Sequence, residues 1–299
     1  MFWRTDYNAH EALVAPARET AQIWRLIMGL IIAAGVYLLC NQTLFQTLFT
    51  WQGQNAPAFA NALDHGDTPL AMFLLLFSFG FMIVGVAVAL RVVHKRGLAG
   101  TLGHLRLCVE QLRNVLIVLI VINAVIWLLP PWGMGAPLLP NLGFGVWLVL
   151  LPLSLLSVLV QVSAEEVLFR GYIQQQLAAR FRSPLVWMLL PALLFGVGHY
   201  LPQEAGPNAQ TIAVWAVLFG LLMADLTARA GTLGPAIAVH FVNNVTALLI
   251  VSMPDSLSGL ALYHSPFSMA DTDAVAAWLP VDFGFMIVSW LAARLAIRR

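Results

Sequence analysis

The chain has 299 residues, 60% hydrophobic and only 10% charged. An ordinary soluble domain carries about 25% charged residues, so this composition excludes both a water-covered globule and a disordered chain. The net charge of +1 supplies no basic field for nucleic acid, so no nucleic-acid partner is expected. Two cysteines, Cys40 and Cys108, make neither a disulfide framework nor a Cys-rich zinc site. The expected class is all-α: a polytopic membrane helix bundle.

In chain order, Met1 to Gln22 is mixed and polar. It reads equally well as an amphipathic interfacial segment or a solvated tail, and a cleaved signal peptide is a poor reading. A crossing helix needs roughly 20 apolar residues. About eight stretches qualify: 24–45, 70–90, 114–129, 142–163, 185–201, 211–228, 232–253 and 275–296, of which the third and fifth are short. Arg4, Arg18 and Arg25 precede the first. Arg91, Lys95, Arg96, Arg106 and Arg113 lie between the second and third. Arg170, Arg180 and Arg182 follow the fourth, Arg229 follows the sixth, and Arg294, Arg298 and Arg299 end the chain. The alternate loops 46–69, 130–141, 202–210 and 254–274 hold no Lys or Arg. Both termini are therefore expected on the cytoplasmic side.

Ionisable side chains inside an apolar span are costly and are functional candidates by default. Glu165, Glu166, Arg170, His199, Asp225 and His240 qualify, with Asn244 as a buried amide. Glu166 and Arg170 are four apart and can pair on one helix face. Glu165 points about 100° away, which leaves one carboxylate neutralised and the other free. A solvated helix end would explain the two glutamates equally well. Phe195 and His199 flank Gly196 and Gly198, glycines that permit close approach of a neighbouring helix or a substrate backbone. His240 and Asn244 share a face, and Asn243 faces elsewhere. Taken singly, His199 reads as an interfacial residue and the His240–Asn244 pair as an interhelical hydrogen bond. Asp225 and Arg229 read as a structural ion pair, His10, His65, His94, His104 and His264 as surface residues, and Cys40 as packing.

The ordered set Glu-Glu-x-x-x-Arg (165–170), Phe-x-x-x-His (195–199) and His-x-x-x-Asn (240–244) resembles the CPBP family of intramembrane proteases. This is the CAAX-protease and bacteriocin-processing group, also called the ABI domain, whose relatives include the type II CAAX prenyl endopeptidases. The resemblance covers about 155–255. It implies an intramembrane endopeptidase in which Glu165 activates water with Glu166 beside it, and His199 helps bind or orient that water. It further implies that His240 and Asn244 form an oxyanion hole, and that Arg170 positions Glu166 or binds a substrate carboxylate.

No cofactor is favoured. Were zinc present, Glu165, His199 and His240 would be its ligands. The organisation expected is an N-terminal part over 1–140, a catalytic core over 141–255, and a loop and last helix over 256–299. Membrane lipid and a peptide or membrane-protein substrate are the expected partners, in a multi-pass prokaryotic plasma-membrane protein. An ion-coupled transporter using the buried Glu and His, and an inactive scaffold of the same fold, are the competing functions. If the active residues meet, the fourth span must continue as helix beyond Glu166, or Pro191 and tilt must displace the fifth.

Overall fold

A computed structural model describes residues 7–128 and 136–298. Arg4 and Arg299 of the charge pattern, and 130–135 of the second uncharged loop, lie outside the described residues. After a short helix α1 (His10–Val14), six helices are long and apolar enough to cross a membrane. They are α2 (Ile23–His65), α3 (Pro69–Val93), α4 (Leu105–Leu128), α5 (Phe144–Arg180), α7 (Pro202–Ala230) and α9 (Thr272–Ala296). Two shorter apolar helices, α6 (Leu185–Gly198) and α8 (Gly234–Ile250), occupy the fifth and seventh expected positions. The fold is thus an all-α polytopic bundle. The ends differ from expectation: residues 46–65 and 202–208, read as loops, belong to helices. Each of these stretches is interrupted by one glycine at positive φ, Gly53 and Gly206, followed by a single 3-10 turn, after which helix resumes. Thr68 starts α3 sharply by accepting a hydrogen bond from the Ala71 N–H ahead of Pro69.

The outer faces carry Ile31, Leu39, Ile120 and Val149, all more than half exposed. In water such a surface would aggregate; against lipid tails it is the expected solvent-facing side. Besides a small apolar cluster of Phe267, Val275 and Leu279, the interior has two large ones. One gathers Leu90, Val158, Val162, Tyr172 and Ile237. The other gathers Val115, Phe195, Phe219, Met223 and Val239. α8 lies between them and packs on α4, α5, α7 and α9. Its first residues, Gly234 to His240, are all buried. Gly234 makes that position possible, because a Cβ there would stand 2.1 Å from the Cys108 carbonyl oxygen on α4. A helix wrapped by others does not need the length of a lipid-facing span.

A small sheet closes one end of the bundle: β1 (Leu139–Pro140), β2 (Val251–Ser252) and β3 (Tyr263–His264), in the order β1-β3-β2. β1 runs antiparallel to β3 with Leu139 opposite His264, and β2 runs parallel to β3 with Val251 opposite Tyr263. Two-residue strands carry no hydrophobic period, so the sequence gives no sign of them.

The described part of the N-terminal segment is neither a free tail nor a surface layer. His10, Leu13, Val14 and Ala17 are buried, and the Gln175 amide of α5 donates to the Leu13 and Gly100 carbonyls. His10 lies against the Trp187 ring. His94 places Nδ1 2.9 Å from Thr20 Oγ1 and Nε2 2.9 Å from the Tyr172 hydroxyl. These two histidines are interior residues, contrary to the surface reading, whereas His65 and His104 are exposed and His264 is half-buried. Burial pushes His10 down to about 4. Burial, then the Arg96 and Arg25 charges, push His94 down to about 4.

Candidate active site

α5 continues without a break from Phe144 to Arg180, so Glu165 and Glu166 sit inside a long helix rather than at its solvated end. This is the first of the two arrangements expected if the active residues are to meet. Directly after Glu166 the helix widens into a π-helical stretch, Val167–Gln174. Such widening is frequent at functional sites because it re-aims side chains without ending the helix.

Glu166 is fully buried and pairs with Arg170 at 2.8 Å, as the four-residue spacing anticipates. His240 reaches across from α8, with Nδ1 2.8 Å from Glu166 Oε1 and Nε2 3.4 Å from Glu165 Oε2. Glu165 is therefore not free. It also accepts a hydrogen bond from the Gln161 amide at 2.9 Å. Gln161 in turn accepts from Asn244 at 2.8 Å, and Asn244 from Asn243 at 3.1 Å. Asn243 faces another cavity, yet its amide reaches back to the network. One connected polar cluster thus joins α5 and α8 in an apolar interior, where each such bond counts for more than in water.

Two oxygens in the cluster remain chemically open. The Oε2 atoms of Glu165 and of Glu166 are buried with no hydrogen-bond partner among the described residues. A buried carboxylate oxygen left so is costly, and a polar small molecule would satisfy it.

Aromatic rings wall the cluster. Phe219 lies edge-on to His240 at 5.0 Å, Phe195 at 6.1 Å, and the Arg170 guanidinium stands 5.0 Å over the Phe195 ring. Phe195 is therefore packing that holds Arg170 and His240 in place. Gly196 lets α6 meet α7: a Cβ there would stand 2.3 Å from a Val217 methyl. Gly198 has open space around it, so of the two glycines only Gly196 serves close helix approach. His199 rests on Phe195 at 4.4 Å between ring centres, with Nδ1 2.8 Å from the Phe195 carbonyl oxygen. A carbonyl only accepts, so Nδ1 carries the proton and a neutral ring leaves Nε2 as an acceptor. Among the described residues, no hydrogen bond or ion pair joins His199 to either glutamate. It stands on the Phe195 side of the cluster.

The alternative zinc set does not fit this arrangement. Nδ1 of His199 is engaged by a carbonyl, both nitrogens of His240 face carboxylates, and no group of three or more His, Cys, Asp or Glu side chains converges as a metal site among the described residues. No step through a metal is derived.

The Asp225–Arg229 pair is elsewhere, and it is structural as expected. Arg229 Nε lies 2.9 Å from both Asp225 oxygens, and Tyr7 and Trp290 also donate to that carboxylate. Sequence reasoning missed Gln161, whose only signal is an amide four residues before Glu165 in an apolar span. It also missed Phe219, which nothing in the sequence separates from other core aromatics, and Asp282, an acid inside α9.

Residues 147–246 match a protein family described as type II CAAX prenyl endopeptidase Rce1-like. An uncharacterised protein of Bacillus subtilis (strain 168), YyaK, is 26% identical over 262 residues, covering 83% of this chain and 84% of its own length. No solved structure matches the chain. The matched stretch contains every residue of the glutamate cluster described above. The chain is a multi-pass helical membrane protein whose residues 147–246 carry the pattern of the Rce1-like family, a family of membrane proteases.

Proposed function

We propose that the chain is an intramembrane endopeptidase that cleaves a peptide bond with a water molecule activated by Glu165. The observation that carries this reading is the pair of buried carboxylate oxygens, Oε2 of Glu165 and of Glu166, that accept no hydrogen bond among the described residues while both carboxylates face His240. Glu166, clamped by Arg170 and His240, fixes the geometry, and Glu165 keeps an oxygen available for a water proton. The oxygen of that water forms the new bond to the scissile carbonyl carbon. The C–N bond then breaks, and the proton taken by Glu165 passes to the leaving amine. His199, through the acceptor Nε2, orients the water.

An oxyanion needs donors aimed at it. Here the Asn244 amide donates to Gln161 and both His240 nitrogens face carboxylates. Asn244 acts on an oxyanion when the substrate carbonyl takes the place of Gln161, and His240 when its Nε2, the longer of its two contacts, turns from Glu165 to the oxyanion. The proposed setting is a prokaryotic plasma membrane, where the substrate is a leader peptide, a small membrane protein or an immunity-related peptide; a C-terminal Cys-a-a-X peptide with a prenylated cysteine is the substrate class for a eukaryotic setting.

The test is Glu165→Gln in purified protein, assayed on a leader peptide and on prenylated and unprenylated Cys-a-a-X peptides. Turnover should fall about 100- to 10,000-fold with the unfolding temperature nearly unchanged. Full activity in the variant, or no cleavage of any peptide by the wild type, would remove the hydrolytic reading. A pH-coupled ion flux abolished by the same substitution would move the protein to the transporter class.

A further inference from the structure

A second polar locus lies inside the membrane part, on a different face of α8 from His240. Asn243, Thr246 and neighbouring residues of α8, with parts of α4 and α9 and the β2 region, line a cavity of about 570 Å³. That is within the size range of small-molecule sites, about 300–1,000 Å³. Asp282 of α9 is in its wall. Trp278, four residues before it on α9, lines the same cavity, and among the described residues none of the side chains lining the cavity is Lys, Arg or His. A carboxylate at membrane depth with no cationic neighbour in its cavity is functional by default.

Two further observations point to a ligand. Ser252 lines the same cavity, is 5% exposed, and its hydroxyl has no hydrogen-bond partner among the described residues. Trp127, Trp278, Phe267 and Phe285 line the same cavity as the acid. A carboxylate among aromatic rings, with a spare hydroxyl at the rim, suits a cation of low hydration carried on an apolar body. A small hard cation draws its affinity mainly from several carboxylates, and Asp282 is the single acid in the lining among the described residues.

We propose that this cavity binds an organic ammonium ion, with the nitrogen against Asp282 and the rings of Trp278 and Trp127, and the apolar part along α4 and α9. The free amine and the amine headgroup of a lipid share this chemistry. The proposal does not depend on the hydrolytic reading of the glutamate cluster.

The test uses the full chain in nanodiscs of phosphatidylglycerol, titrated calorimetrically with benzyltrimethylammonium and with neopentylbenzene, its uncharged isostere. The cation should bind saturably and on the order of tenfold more tightly than the isostere. Asp282→Asn should remove that preference while leaving the isostere's binding unchanged, and Asp282→Glu should keep it. The Glu variant guards against a folding defect, as does an unchanged thermal transition for both variants. Equal binding of cation and isostere, absence of saturable binding, or a preference that survives Asp282→Asn overturns the proposal. Repeating the titration in phosphatidylethanolamine discs identifies the source. A weakened apparent affinity there marks the lipid headgroup as the natural ligand, and an unchanged one marks a free amine.

Discussion

Two acid–arginine pairs in this molecule have the same sequence spacing and opposite characters. Glu166–Arg170 and Asp225–Arg229 both join residues four apart on one helix face. Asp225 is saturated: Arg229 reaches both of its oxygens, the Tyr7 hydroxyl donates to one and the Trp290 indole to the other. Glu166 has Arg170 and His240 on one oxygen and no partner on the other, and a second carboxylate, Glu165, faces the same histidine. A saturated pair is a fastener. An unsaturated pair beside another acid keeps capacity for a further proton or water. The difference is made by what other helices bring, and the local sequence does not contain it.

The contrast can be broken most directly at the arginines. Arg170→Met leaves Glu166 charged and fully buried with only His240 to offset it, which should cost about 3–5 kcal/mol. Arg229→Met leaves Asp225 with two donors, so about 1–3 kcal/mol is expected. Thermal unfolding of both variants in one detergent measures this. The peptidase activity per folded molecule should also vanish in the first and survive in the second. Equal losses in stability and activity would erase the distinction drawn above.

A finer probe is Gln161→Ala, which removes the donor that steers Glu165 without touching the carboxylates. As a positioning residue it should lower kcat about tenfold, equivalent to about 1.4 kcal/mol, with KM little changed. A loss confined to KM would instead make Gln161 a substrate contact.

A pH dependence tests the saturated side of the molecule, where Tyr7 of the docked N-terminal segment donates to Asp225. His10 and His94 are held neutral, each pushed down to about 4 from an ordinary value near 6.5. Between those values the unfolded chain binds more protons than the folded one, so stability is intact above about pH 6.5 and declines as pH falls toward 4. About 2 kcal/mol per ring is expected by pH 5. Unfolding temperature measured from pH 7 to pH 5 checks the slope, and His94→Gln should flatten part of it.

Much of the cluster was legible in the sequence. A charge inside an apolar span is expensive enough that Glu165, Glu166, Arg170 and His240 stood out by type alone, and the Glu166–Arg170 pairing followed from helix geometry. Gln161 and Asn243 did not stand out, because a single amide is tolerated in any bundle and its partner lies 83 residues away for Asn244 and Gln161. The interior placement of His10 and His94 was misread for a related reason. Loop and tail positions look exposed until another element covers them, and Trp187, Thr20 and Tyr172 do so here.

The sequence by itself determined the solvent and the class. Sixty per cent hydrophobic residues with few charges require lipid around helices, since backbone groups in hydrocarbon must be satisfied within their own segment. Tertiary structure alone decided that α5 runs on past Glu166, that α8 is short and enclosed, and that one histidine stands between two carboxylates. Those outcomes depend on contacts between residues far apart in the chain, where side-chain volume, close helix approach at Gly234 and Gly196, and shared hydrogen-bond partners fix the geometry.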